Sequence, residues 1–146
     1  MGETPAEAGF FMPPEWAAHS CCWIAWPCRE NGFYDVESAR DECALVAREL
    51  SRHEPVRLIA TPRDLDEARR RCSSRPDGAP ADVEFVRMPA DDSWTRDSAP
   101  TVLVDGRGTL GAVEWRYNSY GGLHRDYAET ARMAARVVEL SGARGF

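Results

Sequence analysis

The chain has 146 residues, 18 of them basic and 24 acidic, for a formal net charge of −6. Hydrophobic residues at 43% and charged residues at 29% match a globular domain and exclude a disordered chain. The acidic balance argues against a nucleic-acid binder, and the longest apolar run, Cys21 to Pro27, falls far short of the roughly 20 residues of a bilayer-crossing helix.

Residues 1–12 read as a loose polar start without the basic and apolar regions of a secretory leader. Met12-Pro13-Pro14-Glu15-Trp16 predicts a turn with an aromatic anchor. Cys21 to Trp26 predicts a short buried strand, and Arg29 to Tyr34 a loop. Asp35 to His53 is the best helix, because Val36, Ala39, Cys43, Val46, Ala47 and Leu50 recur at three- and four-residue steps. Asp35 or Ser38 suits its N-cap. Val56 to Ala60 reads as a buried strand. Thr61-Pro62-Arg63-Asp64 opens a polar helix to Cys72, with Thr61 as N-cap and Pro62 at the first helical position.

Ser73 to Ala81 is a predicted loop and Val83 to Met88 a strand, followed by a loop over Pro89 to Thr95. Pro100 to Val104 and Gly111 to Trp115 form a predicted hairpin around Asp105-Gly106-Arg107-Gly108. Asn118 to Arg125 reads as a glycine-containing loop. Asp126 to Ser141 is a last helix, packing through Tyr127, Ala131, Ala134, Val138 and Leu140 and capped by Gly142. The order of elements predicts an α/β fold. The final segment to Phe146 suggests a helix leading toward a strand that does not arrive.

Every basic residue is arginine, Lys and Gln are absent, and Ile occurs only at Ile24 and Ile59. That bias reads as the imprint of a GC-rich genome. The five cysteines, Cys21, Cys22, Cys28, Cys43 and Cys72, are odd in number and lack a C-x-x-C spacing. They suit reduced thiols in a cytoplasmic protein, with no zinc site and at least one of Cys21 and Cys22 a small buried hydrophobe.

The densest polar cluster is Asp91-Asp92-Ser93-Trp94-Thr95-Arg96-Asp97-Ser98. A solvated acidic loop is its bland reading. A large aromatic among carboxylates also suits a flat cation: the ring face attracts positive charge, and a carboxylate accepts two parallel N–H bonds. A guanidinium meets both demands.

These blocks resemble the agmatine deiminase family, within the wider peptidylarginine-deiminase group. The resemblance is carried by Met12 to Trp16, His19, Trp23 to Pro27, Asp91 to Pro100 and Trp115-Arg116-Tyr117-Asn118-Ser119-Tyr120-Gly121-Gly122, in that order. It implies five ββαβ-type modules in a pentein-like α/β propeller. It also implies hydrolysis of agmatine to N-carbamoylputrescine and ammonia through a covalent cysteine intermediate, without metal or organic cofactor. On this likeness Asp97 pairs with the substrate guanidinium and Trp94 is a pocket aromatic, if the loop is extended around Arg96. Arg96 is then an ion-pair partner. Asp91 and Asp92 either hold the loop, the favoured role, or meet the far amine of agmatine, and Asn118 is a possible supporting residue.

In relatives acting on peptide-terminal arginine, arginines just after the Tyr-Asn pair grip the substrate carboxylate. Here those positions are Ser119 and Gly121, which favours agmatine. Ala99 stands where the family usually has Gly, and Tyr120 where Trp is common, so the pocket wall differs in detail. The family's nucleophilic cysteine and catalytic histidine lie in later segments. None of the five cysteines matches the nucleophile, and His19, His53 and His124 read as structural. The chain is therefore expected to be the N-terminal part of a single deiminase-like domain, covering the first module and the start of the second. It is expected to be inactive alone, with the missing C-terminal part or a second copy as possible partner and no nucleic acid or membrane. The alternatives are a piece of an arginine or peptidylarginine deiminase, or a non-catalytic α/β binding domain.

Overall fold

The computed structural model describes residues 2–73 and 78–146, which fall into two compact units, His19–Thr95 and Met1–Ala18 with Arg96–Phe146. The middle of the expected Ser73–Ala81 loop lies outside the described residues.

The first of these is a parallel unit. Strands β1 (Cys22–Ala25), β2 (Val56–Ala60) and β3 (Val83–Arg87) pair in parallel in the order β1-β2-β3. The helices α1 (Val36–Leu50) and α2 (Leu65–Cys72) make the two crossovers. Successive right-handed crossovers advancing in one direction put both helices on one sheet face. Trp26, Ala44, Ala47, Val56, Leu58, Ala60, Leu65, Ala68 and Cys72 form the core between them. Val56, Leu58 and Ala60 share a face because strand side chains alternate.

Helix α1 starts as its sequence predicts, with the Asp35 carboxylate accepting the Glu37 N–H at 3.0 Å. Ala47 is buried and Cys43 and Leu50 pack against the core as the periodicity predicts, but Ala44 takes the place expected of Val46 on that face. Ala44 is buried, whereas Val46 is half exposed at 50%. The two alanines let the helix lie close to the sheet beside bulky Trp26, and Leu45 and Val46 turn outward. A short 3-10 turn over Glu30–Gly32 replaces part of the expected loop before it.

Helix α2 corrects the expected start at Thr61. Its N-cap is Asp64, whose side chain makes no capping bond. Instead the Asp64 carboxylate is buried, accepting from the Thr61 hydroxyl and from Arg40 Nη2 at 3.3 Å. Those bonds hold residues 61–64 as a turn and delay the helix. Arg40 also meets Glu37 and Glu67 at 2.9 and 3.2 Å, and Arg71 ties Glu37, Asp41 and Glu67 together across the helix pair.

In the second unit, β4 (Thr101–Val104) and β5 (Leu110–Val113) form the predicted antiparallel hairpin. Asp105 organises its turn by accepting the N–H groups of Arg107 and Thr109 at 2.8 and 2.9 Å. Helix α5 (Met133–Ser141) follows a 3-10 turn over Thr130–Arg132, so the expected helix from Asp126 begins seven residues later. Met133, Ala134, Val137 and Val138 are its buried residues, while Leu140 is half exposed because two positions beyond Val138 lie about 200° round the helix. Gly142 ends α5 in the left-handed conformation, φ 67°, as expected.

The expected missing strand is present: β6 (Arg144–Gly145) pairs in parallel with β5. Strands β4, β5 and β6 with α5 therefore make one ββαβ unit. Phe11 bridges to Val104 on the other edge of the sheet. Trp16 does not anchor the first turn, being 88% exposed.

Candidate functional site

The carboxyl ends of the three parallel strands lie at one sheet edge, where open α/β sheets build their sites. The chain leaves β1 as Trp26-Pro27-Cys28-Arg29, β2 as Thr61 to Asp64, and β3 as Met88 to Ser93. Backbone bonds Trp26 N–Ile59 O at 2.8 Å and Met88 N–Ala60 O at 3.0 Å extend both ladders to this edge. Beyond them, side chains take over. Cys28 Sγ donates to the Ala90 carbonyl at 3.5 Å, Arg29 Nε to the Asp91 carbonyl at 2.9 Å, and Arg63 Nη2 to the Cys28 carbonyl at 2.6 Å.

The acidic loop after β3 carries the expected binding residues. Asp91 and Asp92 are partly buried. The Asp92 carboxylate accepts the Ser93 N–H at 2.7 Å, and the Thr95 N–H reaches the Ser93 carbonyl at 3.1 Å. Trp94 presents a half-exposed ring, at 56%. Thr95–Ser98 forms a single helical turn, α3, which corrects the expectation of an extended loop around Arg96.

In the other unit, Ser98 is buried and its hydroxyl meets Met133 Sδ at 3.2 Å. That contact seats the α3 turn and leaves the neighbouring Asp97 exposed. Arg96 forms an exposed ion pair with Glu15 at 2.9 Å. Asn118 caps a four-residue turn, α4 (Ser119–Gly122), by accepting the Gly121 N–H at 3.0 Å. Ser119, Tyr120, Gly121 and Gly122 all have left-handed φ, at 53°, 56°, 81° and 89°. Such a run is costly for the serine and the tyrosine. Ser119 is fully buried, and its hydroxyl accepts the His124 N–H at 3.2 Å. Tyr117 packs edge-on against both Tyr120 and Tyr127, with centroids 6.0 Å apart in each pair. The sequence shows the glycines of this turn but not its handedness.

Burial raises the thiols of Cys28, Cys43 and Cys72 well above the ordinary range. Burial first, then the charges of Asp64 and Asp92, push Cys28 up to about 11. Burial pushes Cys43 up to about 12 and Cys72 to about 11. Neither Cys21 nor Cys22 is fully buried, against the expectation that one of them is a core hydrophobe. His19 is tied to Glu54, Nδ1 to Oε2 at 3.0 Å. Among the described residues, no group of three or more His, Cys, Asp or Glu is placed to hold a metal ion. Among them also, no helix is long and apolar enough to cross a membrane.

A family model described as Porphyromonas-type peptidyl-arginine deiminase matches residues 11–146. The chain belongs to that family. The agmatine deiminase of Stutzerimonas stutzeri is 33% identical over 145 residues, covering 96% of this chain and 38% of its own length. A provisionally named agmatine deiminase of Legionella pneumophila is 32% identical over 148 residues, covering 100% of this chain and 41% of its own. A solved structure of another provisionally named agmatine deiminase has a TM-score of 0.90 at 32% identity, over 99% of this chain and 40% of that one. The deiminase-family chain thus shares the α/β pentein fold and spans about 40% of the length of the relatives it matches.

Sequence reading of the family blocks missed Arg29 and Arg63. The usable signal was position: each arginine follows a strand of a parallel sheet by a few residues, where loop carbonyls need donors.

Proposed function

We propose that the chain is the N-terminal part of an agmatine deiminase and supplies part of its guanidinium-binding wall. The observation that carries this reading is the match over residues 11–146, together with relatives that are named for agmatine. In the whole protein, five modules of the ββαβ type surround one site. A thiolate supplied by a later segment attacks the guanidinium carbon and ammonia leaves. Water then releases N-carbamoylputrescine and regenerates the thiol. A histidine moves the protons, no cofactor takes part, and the product feeds putrescine formation in the cytoplasm. Asp97 pairs with the guanidinium through two parallel N–H bonds, and the Trp94 ring covers its face.

The family description names peptidyl-arginine, which favours a second reading. Against it, Ser119 and Gly121 stand where carboxylate-gripping arginines would follow the Tyr-Asn pair. Agmatine has no carboxylate to grip. The neutral state of Cys28, Cys43 and Cys72 supports a nucleophile outside this chain, so the chain alone is inactive.

Ammonia release and calorimetry test both parts. The 146-residue chain is expected to release no ammonia from agmatine yet to bind it saturably. Asp97→Asn is expected to weaken binding at least about tenfold, because a charge-assisted pair is replaced by a neutral one. Turnover above a blank overturns the inactivity. Affinity for a peptide ending in arginine that equals that for agmatine favours the second reading, and unchanged binding in the variant removes Asp97 from the site.

A further inference from the structure

We propose that Arg29 is a positioning residue for the Pro89–Thr95 loop, and through it for the Trp94 ring. The proposal rests on the guanidinium reading of that ring given above. Strands β1 and β3 are not neighbours, because β2 lies between them. Even so, two successive residues after β1 hold two successive carbonyls after β3: Cys28 the Ala90 oxygen and Arg29 the Asp91 oxygen. The pair of bonds arches over the end of β2. Arg63, from the turn after β2, adds a third tie by donating to the Cys28 carbonyl at 2.6 Å.

The local shape suits this role. Glu30–Gly32 turns back with the Gly32 N–H on the Arg29 carbonyl at 3.2 Å. The Arg29 stem then lies where a Gly32 side chain would stand, since a Cβ there would come within 3.2 Å of Arg29 Cδ. The thiol of Cys28, kept neutral by its surroundings, serves as a donor and not as a nucleophile. By contrast, the Ser93–Asp92 and Thr95–Ser93 bonds reach only one or two residues along the loop. They shape it without tying it to the sheet. A loop that must hold an aromatic ring against a flat cation needs such a tie, because a misplaced ring loses both stacking and orientation.

Hydrogen exchange on the 146-residue chain, read with agmatine calorimetry, tests the assignment. Arg29→Ala is expected to speed exchange of the amides of residues 90–95 by about tenfold while those of α1 and β2 stay within about twofold. Agmatine affinity is expected to fall by about tenfold in the same variant. Arg29→Lys, which keeps the charge but loses the planar fork, is expected to recover part of both effects, and it carries the test if the alanine variant does not fold. Loop exchange within twofold of the parent overturns the proposal. So does faster exchange with unaltered agmatine affinity. A parent chain that binds no agmatine sinks the guanidinium reading and the role assigned through it, whereas loop exchange still reports whether the tie exists.

Discussion

Phe10 and Phe146 meet edge to face, ring centroids 5.3 Å apart at an interplanar angle of 67°, and both rings close over Gly111. A Cβ on Gly111 would come within 2.7 Å of Phe10 Cδ1 and 3.2 Å of Phe146 Cε2. Glycine at this point of β5 therefore follows from crowding on the sheet face. Gly111→Ala is expected to destabilise by about 1–3 kcal/mol, the usual cost of overpacking. A lower urea midpoint checks this, and Phe10→Leu in the same chain is expected to return part of the loss.

Thiol labelling should divide the cysteines by burial. Cys21, just before edge strand β1, and Cys22, its first residue, are partly buried, whereas Cys28 and Cys72 are buried and Cys43 packs against the core. Iodoacetamide at about pH 7.5 is expected to modify Cys21 and Cys22 first, because burial limits access to the other three and pushes their thiols up to about 11 or 12. Peptide mass spectrometry reads the order. Early modification of Cys43, held near 12, would contradict the packing of α1.

Acid should unfold the chain through carboxylates whose ionised form is held by the fold. Ser38 and the Glu37 N–H hold Asp35 below its ordinary 3.8, and the turn amides do the same for Asp105. Arg71 holds Glu37, and Arg136 holds Glu129, below the ordinary 4.5. A lowered folded value means that the unfolded chain binds more protons in acid. The stability is therefore complete above the ordinary values and is lost as pH falls through the folded ones. The urea midpoint is expected to be level near about pH 6 and to drop below about pH 4. Asp105→Asn keeps the turn acceptor but not the charge, so its curve should fall less steeply.

The Arg96–Glu15 pair joins side chains 84% and 72% exposed. Water and salt screen such a pair, so Arg96→Ala is expected to change stability by no more than about 0.5 kcal/mol. Its agmatine affinity should stay within about twofold of the parent. A tenfold loss would show that Arg96 does more than hold Glu15.

Local chemistry was legible along the chain. The Asp35 cap, the Asp105-Gly106 hairpin and the Gly142 stop each depend on donors and acceptors a few residues apart, and each stands where the sequence put it. The family blocks likewise lie in sequence, and they were enough to indicate the deiminase family before any geometry was known. Less legible were the choices settled by distant partners. On α1 the face through Cys43, Ala47 and Leu50 held, but Ala44 took the place expected of Val46, because close approach to the sheet depends on what Trp26 fills. The start of α2 moved to Leu65 because Arg40, 24 residues away, claims the Asp64 carboxylate.

The sequence by itself determined most of the elements, their order and the family, since these follow from periodicity, capping and ordered motifs. Only the tertiary structure decided how segments far apart in the chain pair. It placed β6 beside β5 and Phe10 over Gly111, made residues 95–98 a helical turn, and hung the acidic loop from Arg29. The physical reason is that a backbone carbonyl or a sheet edge can be satisfied by many donors. Which one reaches it depends on packing across the whole unit.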